Sequence, residues 1–208
     1  MVPGAVLAAG RSARMGRPKA LLPVGPDSAE TFLSRIVASM RAGGLDDVLV
    51  VGRPDDVELR EAVARLDPPV RYVGNVDHER GQLSSIVAAV DAVDRPGVRG
   101  LLVSPVDMPL VKPETFAAVL RAFAASPGTI VRASCGGGHG HPVIFDRGSF
   151  GDLRRADPDV GAKAVLRASP QRVIDVDVAD TGVLADVDSP EDYVAIFGSG
   201  PDSAGVRS

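Results

Sequence analysis

The sequence predicts an α/β chain: one three-layer αβα domain built around a Rossmann-like, mostly parallel sheet. Short β-branched runs alternate with longer stretches of helical period along most of the 208 residues, which is the alternation of βαβ units. The first apolar run also breaks off at Gly10 and is followed closely by Arg11, Arg14 and Lys19, as a first strand does when it opens into an anion-binding turn. The length suits a single domain with a substantial core. Hydrophobic residues make up 45% of the chain, aromatics only 4%, and Trp is absent, so that core must be made of Val, Leu, Ala and Ile.

The elements follow in order. After the first strand, residues 29–41 read as a helix with Phe32, Leu33, Ile36, Val37 and Met40 on one face, stopped by Gly43 and Gly44. Residues 48–51 form a second strand, 57–66 a helix, 70–73 a strand and 83–93 a helix. A strand at 100–104 ends at Pro105, and a helix at 115–125 leads to a strand at 129–133. The pattern then changes. The glycine-dense stretch 134–148 reads as a loop that turns into a short strand around Val143 to Phe145, antiparallel to its neighbours. Helical stretches at 150–155 and 161–168 precede a last strand at 172–176. Ser189 and Pro190 open a final helix with acids in its first turn. The domain is read as residues 1–197, and 198–208 as a disordered tail.

Several functional classes fall away on composition. The net charge is -4, from 27 acids against 23 bases, which argues against non-specific nucleic-acid binding. Cys135 is the only cysteine, so neither an intramolecular disulfide nor a four-thiolate zinc site can form. His139 and His141 make a His-x-His pair, yet no third ligand is spaced for zinc. No basic region precedes an apolar stretch at the N-terminus, and no run approaches the ~18 apolar residues needed to cross a bilayer. A soluble, cytoplasmic protein without a membrane partner is therefore expected.

The chemistry is concentrated at residues 6–23. Glycine lets backbone N–H groups approach an anion, and the three cations supply charge where a polyphosphate would lie. Lys19 is followed by Ala20, so this is not a Walker A loop, and no G-x-G-x-x-G spacing is present. Asp107 stands just beyond the 100–104 strand, where ligands of open α/β sheets gather, and Pro109 stiffens the chain after it. Asp186, Asp188 and Asp192 form a second acidic group, in which Asp192 is explained by the dipole of the last helix. Two separated carboxylates are enough for Mg²⁺, which takes oxygen ligands and completes its shell with water and phosphate. Gly81 permits close approach, while Ser84 and Ser85 can either cap the 83–93 helix or donate to a ligand.

The string LAAGRSARMGRPKALLP resembles the signature loop of the molybdopterin nucleotidyltransferase-like family through Leu7, Ala8, Ala9, Gly10, Ser12, Arg14, Met15, Gly16 and Lys19. Further matches follow in the family's order as far as about Tyr193. The resemblance implies a nucleotidyltransferase (GT-A-like) fold and a Mg²⁺-dependent enzyme. It would move a nucleoside monophosphate from an NTP to the phosphate of molybdopterin, with pyrophosphate leaving. Lys19, Arg11 and Arg14 would be its catalytic cations. Leu7, Ala8, Ala9, Gly10, Asn75, Gly81, Ser84 and Ser85 would bind the nucleotide, and Asp107 and Asp188 the metal. Which of Asp186 and Asp188 is the second ligand stays open. His141, Pro142 and Lys163 would face the acceptor. Ala9, where the guanylyl branch has Gly, points to CTP. GTP, a sugar-phosphate acceptor, and a nucleotide-binding regulator or chaperone of a molybdoenzyme are the alternatives. A recipient molybdoenzyme or its chaperone is the implied protein partner.

Overall fold

The computed structural model describes residues 1–12 and 14–200. Its centre is a seven-stranded sheet in the order β3-β2-β1-β4-β6-β5-β7. The strands are β1 Gly4–Leu7, β2 Val48–Gly52, β3 Arg71–Gly74, β4 Gly100–Pro105, β5 Ile130–Cys135, β6 Gly138–Asp146 and β7 Val173–Asp177. Only β6 runs antiparallel to its neighbours; β3, β2, β1 and β4 are mutually parallel, and β7 is parallel to β5. The strands at the centre are buried along their whole length, which accounts for their continuous apolar runs.

Side chains alternate between two cores because successive strand residues point to opposite faces. Val6, Val48, Val50, Leu102 and Ile144 pack on one face against helices α1 (Phe32–Ala42), α2 (Val57–Ala64), α4 (Pro113–Ala125) and α7 (Pro190–Phe197). Ala5, Leu7, Leu49, Leu101, Val103, Val143 and Phe145 meet α3 (Gln82–Val93), α5 (Phe150–Arg155) and α6 (Lys163–Ala168) on the other. The few aromatic residues are placed economically: Phe32 stacks on Tyr193, and Phe197 packs tilted against both, with ring centroids 4.6 to 6.1 Å apart, tying α7 to α1.

Differences from the expected elements have local causes. The first helix begins at Phe32, not at 29, because Thr31 forms a capping box with Ser34, while Thr31 also bridges back to Pro23. The stretch 134–148 is mostly strand. Gly136 and Gly137, at φ 55° and 81°, make a tight two-residue turn between β5 and β6. The glycines thus mark a hairpin within the sheet, and His139, His141 and Pro142 are strand residues. The last helix is capped as expected, with Ser189 and Asp192 forming a capping box and Pro190 in the first turn. It ends at Gly198 in the left-handed conformation. Positions 201–208 of the expected tail lie outside the described residues, and no helix among those described is long and apolar enough to cross a membrane.

Candidate active site

β1 and β4 lie side by side, and both end at the same edge of the sheet. Beyond β1 the chain runs through Ala8, Ala9 and Gly10 into a loop that returns at Lys19, where a one-turn 3-10 helix, Lys19–Leu21, begins. Ser12 adopts a left-handed backbone conformation, φ 49°, and its hydroxyl accepts the Lys19 N–H at 3.1 Å. The loop is therefore closed upon itself, and Lys19 is held at its base.

Asp107 arrives from β4. The Val106 N–H donates to the Leu7 carbonyl at 3.0 Å, and the Val187 N–H donates to the Asp107 carbonyl at 2.8 Å. The second contact brings distant segments of the chain alongside each other and sets Asp188 opposite Asp107. Asp188 sits just before α7, where the Asp192 carboxylate accepts its N–H at 3.1 Å and that of Ser189 at 2.8 Å. Asp192 is thus consumed as a helix cap, and Asp188 keeps its carboxylate for the site.

Lys19 is the hub. Its ammonium donates to Asp188 Oδ1 at 2.6 Å and to Asp107 Oδ2 at 3.3 Å, with only 11% of the side chain exposed. Arg14 adds a bond to Asp188 Oδ2 at 2.9 Å. The two carboxylates respond differently. Burial pushes the Asp107 carboxyl above its ordinary range, against the pull of Lys19. The Lys19 hydrogen bond holds the Asp188 carboxyl below its ordinary range, with Arg14 adding to the effect. Arg11 departs from this cluster and pairs with Glu79 on the one-turn helix His78–Arg80.

Asp107 and Asp188 offer oxygen donors from two segments converging on one cation, which here is the ammonium of Lys19. This donor set fits Mg²⁺ or Mn²⁺, with phosphate oxygens and water completing the shell. Asp186 is exposed and raises the Asp107 carboxyl only through its charge; Asp188, by contrast, lines the cavity.

The cavity has a volume of about 560 Å³, well within the range of small-ligand sites. Leu7, Ala8, Ala9, Gly10, Arg11, Arg14, Lys19, Gly81, Ser85, Asp107 and Asp188 all line it, so most of the expected residues are brought together. Asn75 and Ser84 are not in its wall; they border a neighbouring groove on the outer side of α3. Asn75 nonetheless acts on the cavity. It is buried, and its amide donates to Ser84 Oγ at 2.8 Å and Ser85 Oγ at 3.1 Å, while its carbonyl oxygen accepts the Asp77 N–H. It therefore fixes the first turn of α3, which presents Gly81 and Ser85.

The expected acceptor residues do not converge there. His141 and Pro142 lie within β6, and Lys163 is exposed on α6; none of the three lines the cavity. The imidazole of His141 is driven down to a pKa of about 4 by burial, despite a hydrogen bond with the Val103 backbone, and its Nδ1 has no partner among the described residues. Conversely, Arg53, Asp56, Leu59, His78 and Gln82 are part of the wall and were not singled out in the sequence. Their signal was available: Arg53 follows the carboxyl end of β2, the same position that marks Asp107 after β4.

Comparison with known proteins gives the family. A family model described as the MobA-like NTP transferase domain matches residues 4–173. The "Purine catabolism protein PucB" of Bacillus subtilis (strain 168) is 29% identical over 196 residues, covering 91% of this chain and 93% of that protein. A "Probable molybdenum cofactor guanylyltransferase" of Opitutus terrae is 35% identical over 133 residues, 64% of this chain and 61% of that protein. The crystal structure of Rv0371c from Mycobacterium tuberculosis H37Rv superposes with a TM-score of 0.77 at 30% identity, covering 96% of this chain and 99% of that one. A complex of the same protein with manganese superposes with a TM-score of 0.70.

Proposed function

The chain belongs to the MobA-like NTP transferase family, and on that footing we propose that it transfers a nucleotidyl group from CTP to the phosphate of a molybdopterin-type acceptor, releasing pyrophosphate. The observation that carries this reading is the Lys19 ammonium set between Asp107 and Asp188 at the mouth of the β1 loop. Two carboxylates facing the same point would repel a bare triphosphate, so the site is suited to a nucleotide that carries a divalent cation.

In this reading an oxygen of the acceptor phosphate attacks the α-phosphorus, and the bond from that phosphorus to the bridging oxygen of the β-phosphate breaks. The acceptor is already anionic, so no side chain has to remove a proton. Lys19 and Arg14 stabilise the charge that grows on the departing pyrophosphate, by donors held in place before the reaction begins. Gly10 and its neighbours bring backbone N–H groups to the phosphates. Asp107 and Asp188 would hold Mg²⁺, whose contribution is to neutralise and orient the phosphate oxygens. The manganese complex of Rv0371c supports a divalent ion in this family. The reaction belongs in the cytoplasm, where NTPs are plentiful, and the product would pass to a recipient molybdoenzyme.

CTP is read from Ala9, which is buried and lines the cavity; its methyl group narrows the space for a purine. The relative from Opitutus terrae is named as a guanylyltransferase, and this supports GTP as the second reading. Pyrophosphate release measured with CTP and with GTP, each with molybdopterin as acceptor, decides between them. Release with neither nucleotide, from a folded protein with Mg²⁺ present, would reject both.

A further inference from the structure

The cavity has two ends. Lys19, Asp107 and Asp188 mark one, at the tips of β1 and β4; Arg53 and Asp56 form the other, at the tip of β2. Arg53 is held from several directions. Its Nη2 donates to Asp56 Oδ2 at 3.1 Å, and its Nε lies 3.7 Å from Asp55 Oδ1. Asp56 is itself anchored, because its other carboxylate oxygen accepts the Leu59 N–H at 3.0 Å and caps α2. The backbone is pinned as well: the Tyr72 hydroxyl donates to the Arg53 carbonyl, which also accepts the Asp56 N–H. The guanidinium is therefore preorganised and only a quarter exposed. Its Nη1 donors have no partner among the described residues.

We infer that Arg53 reads the base of the nucleotide and restricts it to guanine or cytosine. The inference rests on the nucleotidyl-transfer reading, which puts the triphosphate at the Lys19 end and leaves the base the β2 end. Two carboxylates beside Arg53 offset its charge, so it is a poor clamp for phosphate but remains a directional donor. A planar guanidinium fork is satisfied by two adjacent acceptors in one plane. Guanine offers O6 and N7, and cytosine offers O2 and N3. Adenine sets an amino group beside N7, and uracil sets its N3–H between its two carbonyls, so each turns a donor toward a donor. Ala9 and Arg53 then have separate roles, Ala9 limiting the size of the ring and Arg53 selecting the pattern on its edge.

Equilibrium binding of CTP, GTP, ATP and UTP with Mg²⁺, to wild type, Arg53→Gln and Arg53→Lys, tests this. Wild type should bind CTP or GTP at least about tenfold more tightly than ATP and UTP, and both variants should lose about tenfold of that ratio. Their unfolding temperatures should be unchanged, since the Asp56 cap on α2 survives. Equal weakening for all four nucleotides, restored in Arg53→Lys, would show a charge role and overturn the inference, as would an unchanged ratio or a wild type with no base preference. Selective binding without pyrophosphate release would reject the transfer reading and leave the role of Arg53 standing. Release from all four nucleotides at equal efficiency would do the reverse.

Discussion

The parallel half of the sheet and the half containing the reversed strand use their ends differently. β1, β2 and β4 each run toward the cavity and deliver a side chain or loop to it: the Lys19 loop, Arg53 and Asp107. β6 runs the other way, so it is its start, not its end, that lies beside the end of β4. His141, on this opening stretch of β6, is half-buried, and the strand is fully buried only from Pro142 onward. Its imidazole Nδ1 is shut off from solvent, whereas Gly10, Arg11 and Arg14 beyond β1 are exposed. Parallel strands expose their terminal residues to a ligand; the reversed strand places a polar residue near its start partly inside the protein.

If that contrast is right, substitutions in the first half should remove activity and leave folding almost intact. Asp107→Asn is expected to have the largest effect, lowering Mg²⁺-supported pyrophosphate release by about a thousandfold or more, equivalent to several kcal/mol of transition-state stabilisation. Asp188→Asn should follow in the same assay with a smaller loss, since Asp107, the more buried of the two carboxylates, remains in place. Lys19→Ala should cost about a hundred- to a thousandfold in turnover, the range for losing one preorganised donor to developing charge. Thermal unfolding of all three should stay close to wild type, because these side chains contribute little to either core.

His141 should show the opposite behaviour, in stability and not in turnover. Its folded-state pKa of about 4 lies below the ordinary value of 6.5, so the unfolded chain binds the proton first as pH falls. The stabilisation is full above pH 6.5 and is lost between 6.5 and 4, on the order of 3 kcal/mol in total. Urea unfolding at pH 7, 5.5 and 4 should show this decline in wild type and a shallower one in His141→Gln. Equal slopes for the two proteins would contradict the burial of a neutral imidazole.

Two smaller effects sharpen the comparison further. Ala9→Gly should move the CTP-to-GTP preference toward GTP by about 1–3 kcal/mol, the worth of one methyl group in a pocket; a competition assay with both nucleotides reads it. Lys163→Ala should change nucleotide binding hardly at all, because Lys163 is exposed on α6, away from the cavity. A marked loss of nucleotide affinity there would mean that α6 closes on the site.

The sequence made the parallel half easy to read for physical reasons. Buried parallel strands need continuous apolar runs, and their helices need a 3.6-residue period, so β1 to β4 and α1 to α4 announced themselves to within a few residues. Gly10 and the cations after it, and Asp107 after its strand, follow from the rule that ligands collect beyond strand ends. The same rule applied to β2 would have found Arg53, whose flanking Pro54, Asp55 and Asp56 look like an ordinary solvated turn. Glycine content misled the reading of 134–148, since a glycine pair can close a hairpin as readily as it can interrupt one. The pairing of Asn75 with Ser84 and Ser85 spans a turn of nine to ten residues, and the meeting of Asp107 with Asp188 joins distant segments. No local pattern encodes them.

In the proposed function, the Lys19, Asp107 and Asp188 cluster carries out metal-dependent nucleotidyl transfer. Pyrophosphate release by the wild-type protein, with CTP or GTP and molybdopterin, measured in Mg²⁺ and again after EDTA, tests it most directly. The account predicts release in Mg²⁺ that falls to background in EDTA and returns when Mg²⁺ or Mn²⁺ is added back. Undiminished release in EDTA would contradict it.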